Sequence, residues 1–316
     1  MSQAAVHIRP YRIESHHSSV EVYSQANACR VESTISRCDL ALRISADEKR
    51  RLNSYDVEEL FMESANARLW RASCKQTGRS VMMKQLPRKP GCHPMRAIGD
   101  RLVPLEVYYN FAAYHSDSRI CRPLDYFERN TSHVLVMEYV DNSCDLFELV
   151  KQSGALSESM VRIVFSQLVM MWESLDRAGI CHRDIKDENI IINMKTLECK
   201  LIDFGCATEI ENDLQSTFSG TPEFYPPEYY KYGSYRHNDL TAWSFGVVLY
   251  LLLAGDLPAH SAEDIVAFDI RADPLLRRVS PAAAKLLVHL LESEPTKRAS
   301  LQDTKELSIP FLFYSS

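Results

Sequence analysis

The run Cys181-His182-Arg183-Asp184-Ile185-Lys186-Asp187-Glu188-Asn189, with Leu201-Ile202-Asp203-Phe204-Gly205 shortly after it, gathers carboxylates, a lysine and an amide in a fixed order. The chemistry that needs this set is phosphoryl transfer, in which catalysis rests on positioning and charge. Asp184 can orient a hydroxyl and take its proton, and Lys186 can steady the phosphoryl in passage. Asn189 and Asp203 bring the oxygen atoms that magnesium prefers. An ordinary charged loop has no reason to keep this order, so the catalytic reading outweighs that of a solvated surface.

Those residues need a scaffold, and the flanking sequence describes one. Tyr55 to Phe61, Ala67 to Ala72 and Ser80 to Leu86 read as short strands, with Thr77-Gly78 as a turn. Val103-Pro104-Leu105-Glu106 opens a short helix, because proline suits the first turn. Two more strands are expected near Leu124 to Glu128 and His133 to Tyr139. Ser157-Glu158 then opens an amphipathic helix with Val161, Val164, Phe165, Leu168, Trp172 and Leu175 on one face, closed by Gly179. The catalytic run follows on a loop before two strand-like pieces, Ile190 to Ile192 and Lys200 to Ile202. Beyond Tyr229 the pattern is helical. The expected class is α+β: a small β-rich lobe with one main helix over 53–138, and a larger helical lobe over 139–316. Residues 1–52, rich in Ser, His, Glu and Arg without periodicity, read as a poorly ordered N-terminal extension.

Composition narrows the partners. The 316 residues are 46% hydrophobic and 25% charged, an ordinary globular balance, and carry a net charge of -6. No concentrated Lys/Arg face is visible, which argues against nucleic acid. Nine scattered cysteines without a C-x-x-C pair read as reduced thiols of a cytoplasmic or nuclear protein. Met1 to Pro10 shows no secretory signal. The longest apolar run, Ala242 to Ala254, is too short to span a bilayer and reads as a buried core helix.

At this point the sequence resembles the eukaryotic protein kinases, and among them the Pim family of serine/threonine kinases, over roughly residues 53 to 312. The likeness is carried by His182 to Ile192, Leu201 to Gly205, Val103 to Glu106 and Gly255-Asp256-Leu257-Pro258. It implies a bilobal kinase fold that uses ATP and Mg2+. In Val81-Met82-Met83-Lys84, Lys84 stands at the strand lysine that contacts the α/β-phosphates, and Glu106 at its helix partner. Asp184 and Lys186 take the catalytic places, Asn189 and Asp203 the metal places. Main chain near Glu138 and Val140 would face the adenine, and Met62, Ser64, Ala67, Leu69, Met82 and Ile191 would border the nucleotide. Lys186 and Thr221 point to Ser/Thr specificity. Glu228 and Arg298 match a structural pair, and Thr217 matches an activating phosphosite that could meet Arg183. The implied partner is a protein with basic residues near the phosphoacceptor, met by Asp145 and Glu188. No membrane partner is implied, and a monomer is expected.

Several positions depart from the pattern. Met62, Ser64 and Ala67 stand where the phosphate-covering loop carries its three glycines. If such a position needs left-handed backbone, a side chain there costs roughly 1–2 kcal/mol, which would weaken ATP binding. Met82 replaces a small residue against the base, Asn110 an apolar one that packs toward Phe204, and Thr241 an aspartate. Because Lys84, Glu106, Asp184, Lys186, Asn189 and Asp203 are all retained, an active enzyme is the favoured reading. The alternative is a pseudokinase acting as a scaffold or allosteric partner.

Overall fold

Alternation shapes the first part of the chain. In β3 (Ser80–Pro87), Val81 and Met83 are buried with Phe127, Val134 and Val136, so the two-residue period turns Met82 and Lys84 to the opposite face. With β1 (Tyr55–Glu63), β2 (Arg68–Cys74), β6 (Pro123–Glu128) and β7 (Ser132–Glu138), this strand forms an antiparallel sheet of order β1-β2-β3-β7-β6. The structure is a computed structural model that describes residues 53–64, 67–88, 95–98 and 101–313. The extension expected over residues 1–52 lies outside the described residues, as do Ala65 and Asn66 of the phosphate-covering loop.

Between β3 and the first helix lies a hairpin that the sequence pattern did not announce. β4 (Met95–Ile98) pairs with β5 (Arg101–Pro104), with Arg96 opposite Val103. β5 runs directly into α1 (Leu105–Ser116), where Pro104 is the N-terminal boundary residue and Val107 to Ala113 are buried.

The second part is mainly helical. β8 (Ser143–Asp145) leads into α2 (Leu146–Ser153), whose first turn is capped by the Asp145 carboxylate accepting from Glu148 N–H at 2.7 Å. α3 (Glu158–Ala178) starts at Ser157 and stops at Gly179, whose φ of 73° ends the helix. β9 (Ile180–Cys181), β10 (Ile190–Asn193), β11 (Cys199–Leu201) and β12 (Thr208–Glu209) then frame the catalytic run, with β10 between β11 and β8, and β12 beside β9. α4 (Pro227–Tyr232), α5 (His237–Ala254), α6 (Ala262–Ala267), α7 (Pro281–Leu290) and α8 (Leu301–Phe313) complete the described chain.

α5 contains the apolar run and is buried along most of its length, from Leu240 to Leu253. It lies in the large core shared by α1, α3 and α7. Gly246 allows this packing, since a Cβ there would come within 2.8 Å of the Leu291 side chain. Among the described residues no helix is long and apolar enough to cross a membrane. The outcome is the expected α+β arrangement, a β-rich N-terminal part and a helical C-terminal part.

Candidate active site

Lys84 reaches the site because β3 alternates, and Glu106 because α1 starts immediately after Pro104. Lys84 Nζ lies 2.6 Å from Glu106 Oε1 and 2.8 Å from Asp203 Oδ1. Burial works against the ammonium, but the two carboxylates outweigh it and push the lysine pKa above its ordinary value. Burial would raise Asp203 in turn, yet the charge and hydrogen bond of Lys84 and the Gly205 N–H hold it below the usual carboxylate range.

The catalytic run is fixed from below. His182 is buried; its Nδ1 accepts from Asp184 N–H at 3.3 Å and its Nε2 donates to Ile202 O at 3.0 Å. That pattern needs a neutral ring, and burial depresses its pKa accordingly. The His182 ring meets Phe204 edge-on at 4.8 Å. Arg183 and Asp203 have φ of 62° and 61°, left-handed values that cost about 1–2 kcal/mol per non-glycine residue. Asp184 Oδ1 accepts from Thr221 Oγ1 at 2.7 Å, and Oδ2 accepts from Asn189 Nδ2 at 3.0 Å. Gly220 permits this approach, because a Cβ at its φ of 128° would stand 2.4 Å from Arg183 O.

Lys186 lies 3.9 Å from Asp184 Oδ2 and 2.5 Å from Glu188 Oε2. Burial opposes its charge, and Glu188 and Asp184 together raise its pKa. The structure thus brings Lys84, Glu106 and Asp203 into one contact set, and Asp184, Lys186, Asn189 and Thr221 into another. Asn189 spends Nδ2 on Asp184, which leaves Oδ1 as the atom it can offer, and Asp203 spends Oδ1 on Lys84. Two protein oxygens of this kind suit magnesium, which keeps few protein ligands and shares the rest with phosphate and water. Among the described residues no group of three or more His, Cys, Asp or Glu could hold a metal alone.

The remaining expected residues lie on β1, β2, β3, β7 and β10 or in the turns next to them. Leu69 pairs across the sheet with Met62 on one side and Lys84 on the other. Half-buried Met82 stands opposite Met137. Ile191 lies half-buried on β10 opposite Asp145. Glu138 donates its N–H to Arg122 O, and its carboxylate accepts from Arg122 N–H at 2.8 Å and pairs with Lys200 at 2.9 Å. Val140 O accepts from Ser143 Oγ at 2.5 Å.

The strain expected at the missing glycines is not where the structure puts it. Met62, Ser64 and Ala67 all lack positive φ. Strand pairing continues through Glu63–Arg68, and the turn closes with Ser64 N–H to Ala67 O at 2.8 Å and Ala67 N–H to Ser64 Oγ at 3.1 Å. Asn110 is buried in α1, with a long 3.4 Å bond to Cys121 O and no partner for Oδ1. Thr241 donates to His237 O at 2.8 Å. Arg298 holds Glu228 with bonds of 2.7 and 2.8 Å, both residues being buried. Thr217 is exposed, and Arg183 Nε donates to Cys206 O at 2.6 Å.

Residues that sequence reading missed hold the segment after Asp203. The Tyr225 hydroxyl accepts from Ser219 N–H and donates to Ser219 O, and that of Tyr235 donates to Thr217 O. Their only signal was an unusual density of tyrosine between Tyr225 and Tyr235.

Comparison with known proteins agrees with this geometry. The family described as protein kinase domain matches residues 66–309. The serine/threonine-protein kinase pim-2 of Danio rerio is 36% identical over 199 residues, 62% of this chain and 62% of that protein. The serine/threonine-protein kinase prk-2 of Caenorhabditis elegans is 33% identical over 206 residues, 65% of this chain and 46% of that one. The PAS domain-containing serine/threonine-protein kinase of Mus musculus is 34% identical over 237 residues, 74% of this chain and 17% of the mouse protein. The chain therefore spans less than two thirds of the length of these relatives.

Proposed function

The chain belongs to the protein kinase domain family, and from that premise we propose that it transfers the γ-phosphoryl group of ATP to serine or threonine hydroxyls of proteins. The observation that carries the reading is the pair of contact sets, Lys84–Glu106–Asp203 and Asp184–Asn189–Thr221. Lys84, kept cationic by its two carboxylates, would bind the nucleotide phosphates, and main chain at Glu138 and Val140 would border the base. Asp184 orients the attacking hydroxyl and receives its proton. Its two oxygens are held by Thr221 and Asn189, so the carboxylate need not reorganise during the step. Lys186 places positive charge beside Asp184, where negative charge develops on the phosphoryl. Asn189 and Asp203 would hold magnesium, which would supply further charge neutralisation for the phosphates.

Basic protein substrates are the proposed class. Glu188 is the stronger support, being half exposed beside Lys186. Asp145 already caps α2, so its replacement would also disturb that helix. Glu188→Lys should selectively weaken phosphorylation of an Arg-rich peptide; an unchanged peptide preference would remove this part of the proposal. The cysteines described by the structure are all free thiols, which supports an intracellular, reducing compartment.

The test of the enzyme reading is phosphotransfer by the purified full chain to an Arg-rich serine peptide, beside Asp184→Asn and a nucleotide-dependent melting shift. The expected result is activity in the wild type and a loss of about 10²–10⁴-fold in the variant, the scale of removing a positioned base. Equal rates in the two would overturn the reading. A melting shift without transfer would favour a nucleotide-binding scaffold.

A further inference from the structure

The β4–β5 hairpin has no part in the chemistry above, yet it reaches the segment that follows Asp203. Arg96 of β4 forms an ion pair with Glu209 of β12, their side chains 24% and 12% exposed. The same guanidinium lies 4.6 Å over the ring of Tyr108. Tyr108 and Tyr109 are buried on α1 and meet edge to face at 5.2 Å. Tyr109 follows Glu106 by three positions, so the two share one side of the helix.

The other end of the link is equally fixed. Glu209 stands opposite Ile180 in the β12–β9 pair, and Ile210 N–H donates to Gly179 O. β9 then feeds directly into His182 and Asp184. Arg96 therefore joins three pieces: the hairpin that launches α1, the buried face of α1, and the strand beside the catalytic run.

We infer that Arg96 and Glu209 are positioning residues that hold α1, and with it Glu106, against the segment after Asp203 in the unphosphorylated chain. The inference rests on the kinase reading above. Reversing one member sets like charges against each other at a largely buried pair, whereas exchanging the two can keep it. The rest of the segment is already held by unmodified groups, Tyr225 on Ser219 and Tyr235 on Thr217. Arg183, the candidate partner for a phosphate on Thr217, is engaged with Cys206 O. A phosphate on Thr217 is thus not required for order.

The experiment uses the full chain after phosphatase treatment, as wild type, Arg96→Glu, Glu209→Arg, the double exchange and Thr217→Ala. It reads kcat and KM for ATP together with amide hydrogen exchange across α1. Each single reversal should lower kcat by at least about tenfold, and the exchange should recover most of that loss. Exchange across Leu105–Ser116 should rise in the singles and return in the double. Thr217→Ala should stay within about threefold of wild type. Singles that match wild type in both readouts would overturn the inference. So would a double no better than the sum of the singles, or a Thr217→Ala loss as large as theirs. If the wild type transfers no phosphate the kinase reading falls, and hydrogen exchange alone decides whether the pair positions α1.

Discussion

Around Asp184 and Asp203 the backbone is strained and the side chains are multiply bonded, whereas at the β1–β2 tip the described residues Ser64 and Ala67 bond across the turn without positive φ. Arg183 and Asp203 carry φ of 62° and 61°, values that persist only where surrounding contacts over-determine them. His182, Asn189, Thr221 and Lys84 supply those contacts. At the tip, Ser64 and Ala67 bond to each other while Phe61 and Met62 stand exposed. The contrast shows where sequence is constrained. A residue fixed by several partners cannot change without orphaning them, while a hairpin tip accepts any residues that close the turn.

The largest effect that would break the contrast comes from the bonded half. Asp203→Asn removes a proposed magnesium ligand and one of two counter-charges from the largely buried Lys84. The expected loss is about 10³-fold in kcat, or ~4 kcal/mol of transition-state stabilisation. Steady-state kinetics at saturating Mg-ATP measure it. A loss under about tenfold would mean that the network is ornamental and that the two halves are alike.

A second effect of somewhat smaller size tests how tightly the bonded half is buried. His237 Nδ1 accepts from Glu211 N–H at 3.0 Å, and burial, aided by the charge of Arg183, lowers its pKa to about 4. The unfolded chain takes up the proton near pH 6.5, well before the folded chain does. The neutral ring therefore contributes stability that is fully present above pH 6.5 and lost as pH falls toward 4. The amount is ~3 kcal/mol. Asp187 acts in the opposite sense, because burial and then Glu188 raise its pKa to about 6; its contribution is present at low pH and lost as pH rises through that value. His237→Asn keeps an acceptor for Glu211 and cannot titrate. Urea unfolding of this variant at pH 7 and pH 4.5, set against wild type, should show a shallower acid loss. Parallel acid losses would sink the assignment.

The catalytic half was legible because its candidates lie in one contiguous run and one short motif, so residue identity alone singled out Asp184, Asn189 and Asp203, which the structure brings into contact with Thr221 and Lys84. Lys84 and Glu106 were legible through the family resemblance, with the proline that opens α1 placing Glu106 on a helix. The β4–β5 hairpin was not, because Met95–Ile98 and Arg101–Pro104 are four residues each, too short to show a period. With the hairpin went any view of Arg96 and Glu209, whose pairing is a tertiary event. Asp145 was read toward substrate, although its position just before Leu146-Phe147-Glu148 is that of a helix cap. The tip raises a different question. Glycine in a family pattern signals freedom or closeness, and the sequence cannot say which of them this chain uses.

That distinction sets the smallest effect. Returning glycine at Ser64 and Ala67 together would restore the loop pattern while removing the Ser64 Oγ bonds to Ala67. If the family glycines served positive φ, the change would relieve strain and tighten ATP binding. Neither residue has positive φ here, so there is no strain to relieve. Two mid-hairpin glycines cost roughly 0.5–1 kcal/mol each in chain entropy, and the lost hydroxyl bonds about 0.5–1.5 kcal/mol more. The double variant should therefore melt slightly lower, with its KM for ATP changed by less than about tenfold. A drop in KM beyond about tenfold would show that the ordered Ser64–Ala67 turn obstructs the nucleotide. The tip would then be a second constrained region, and the contrast with the catalytic run would fail.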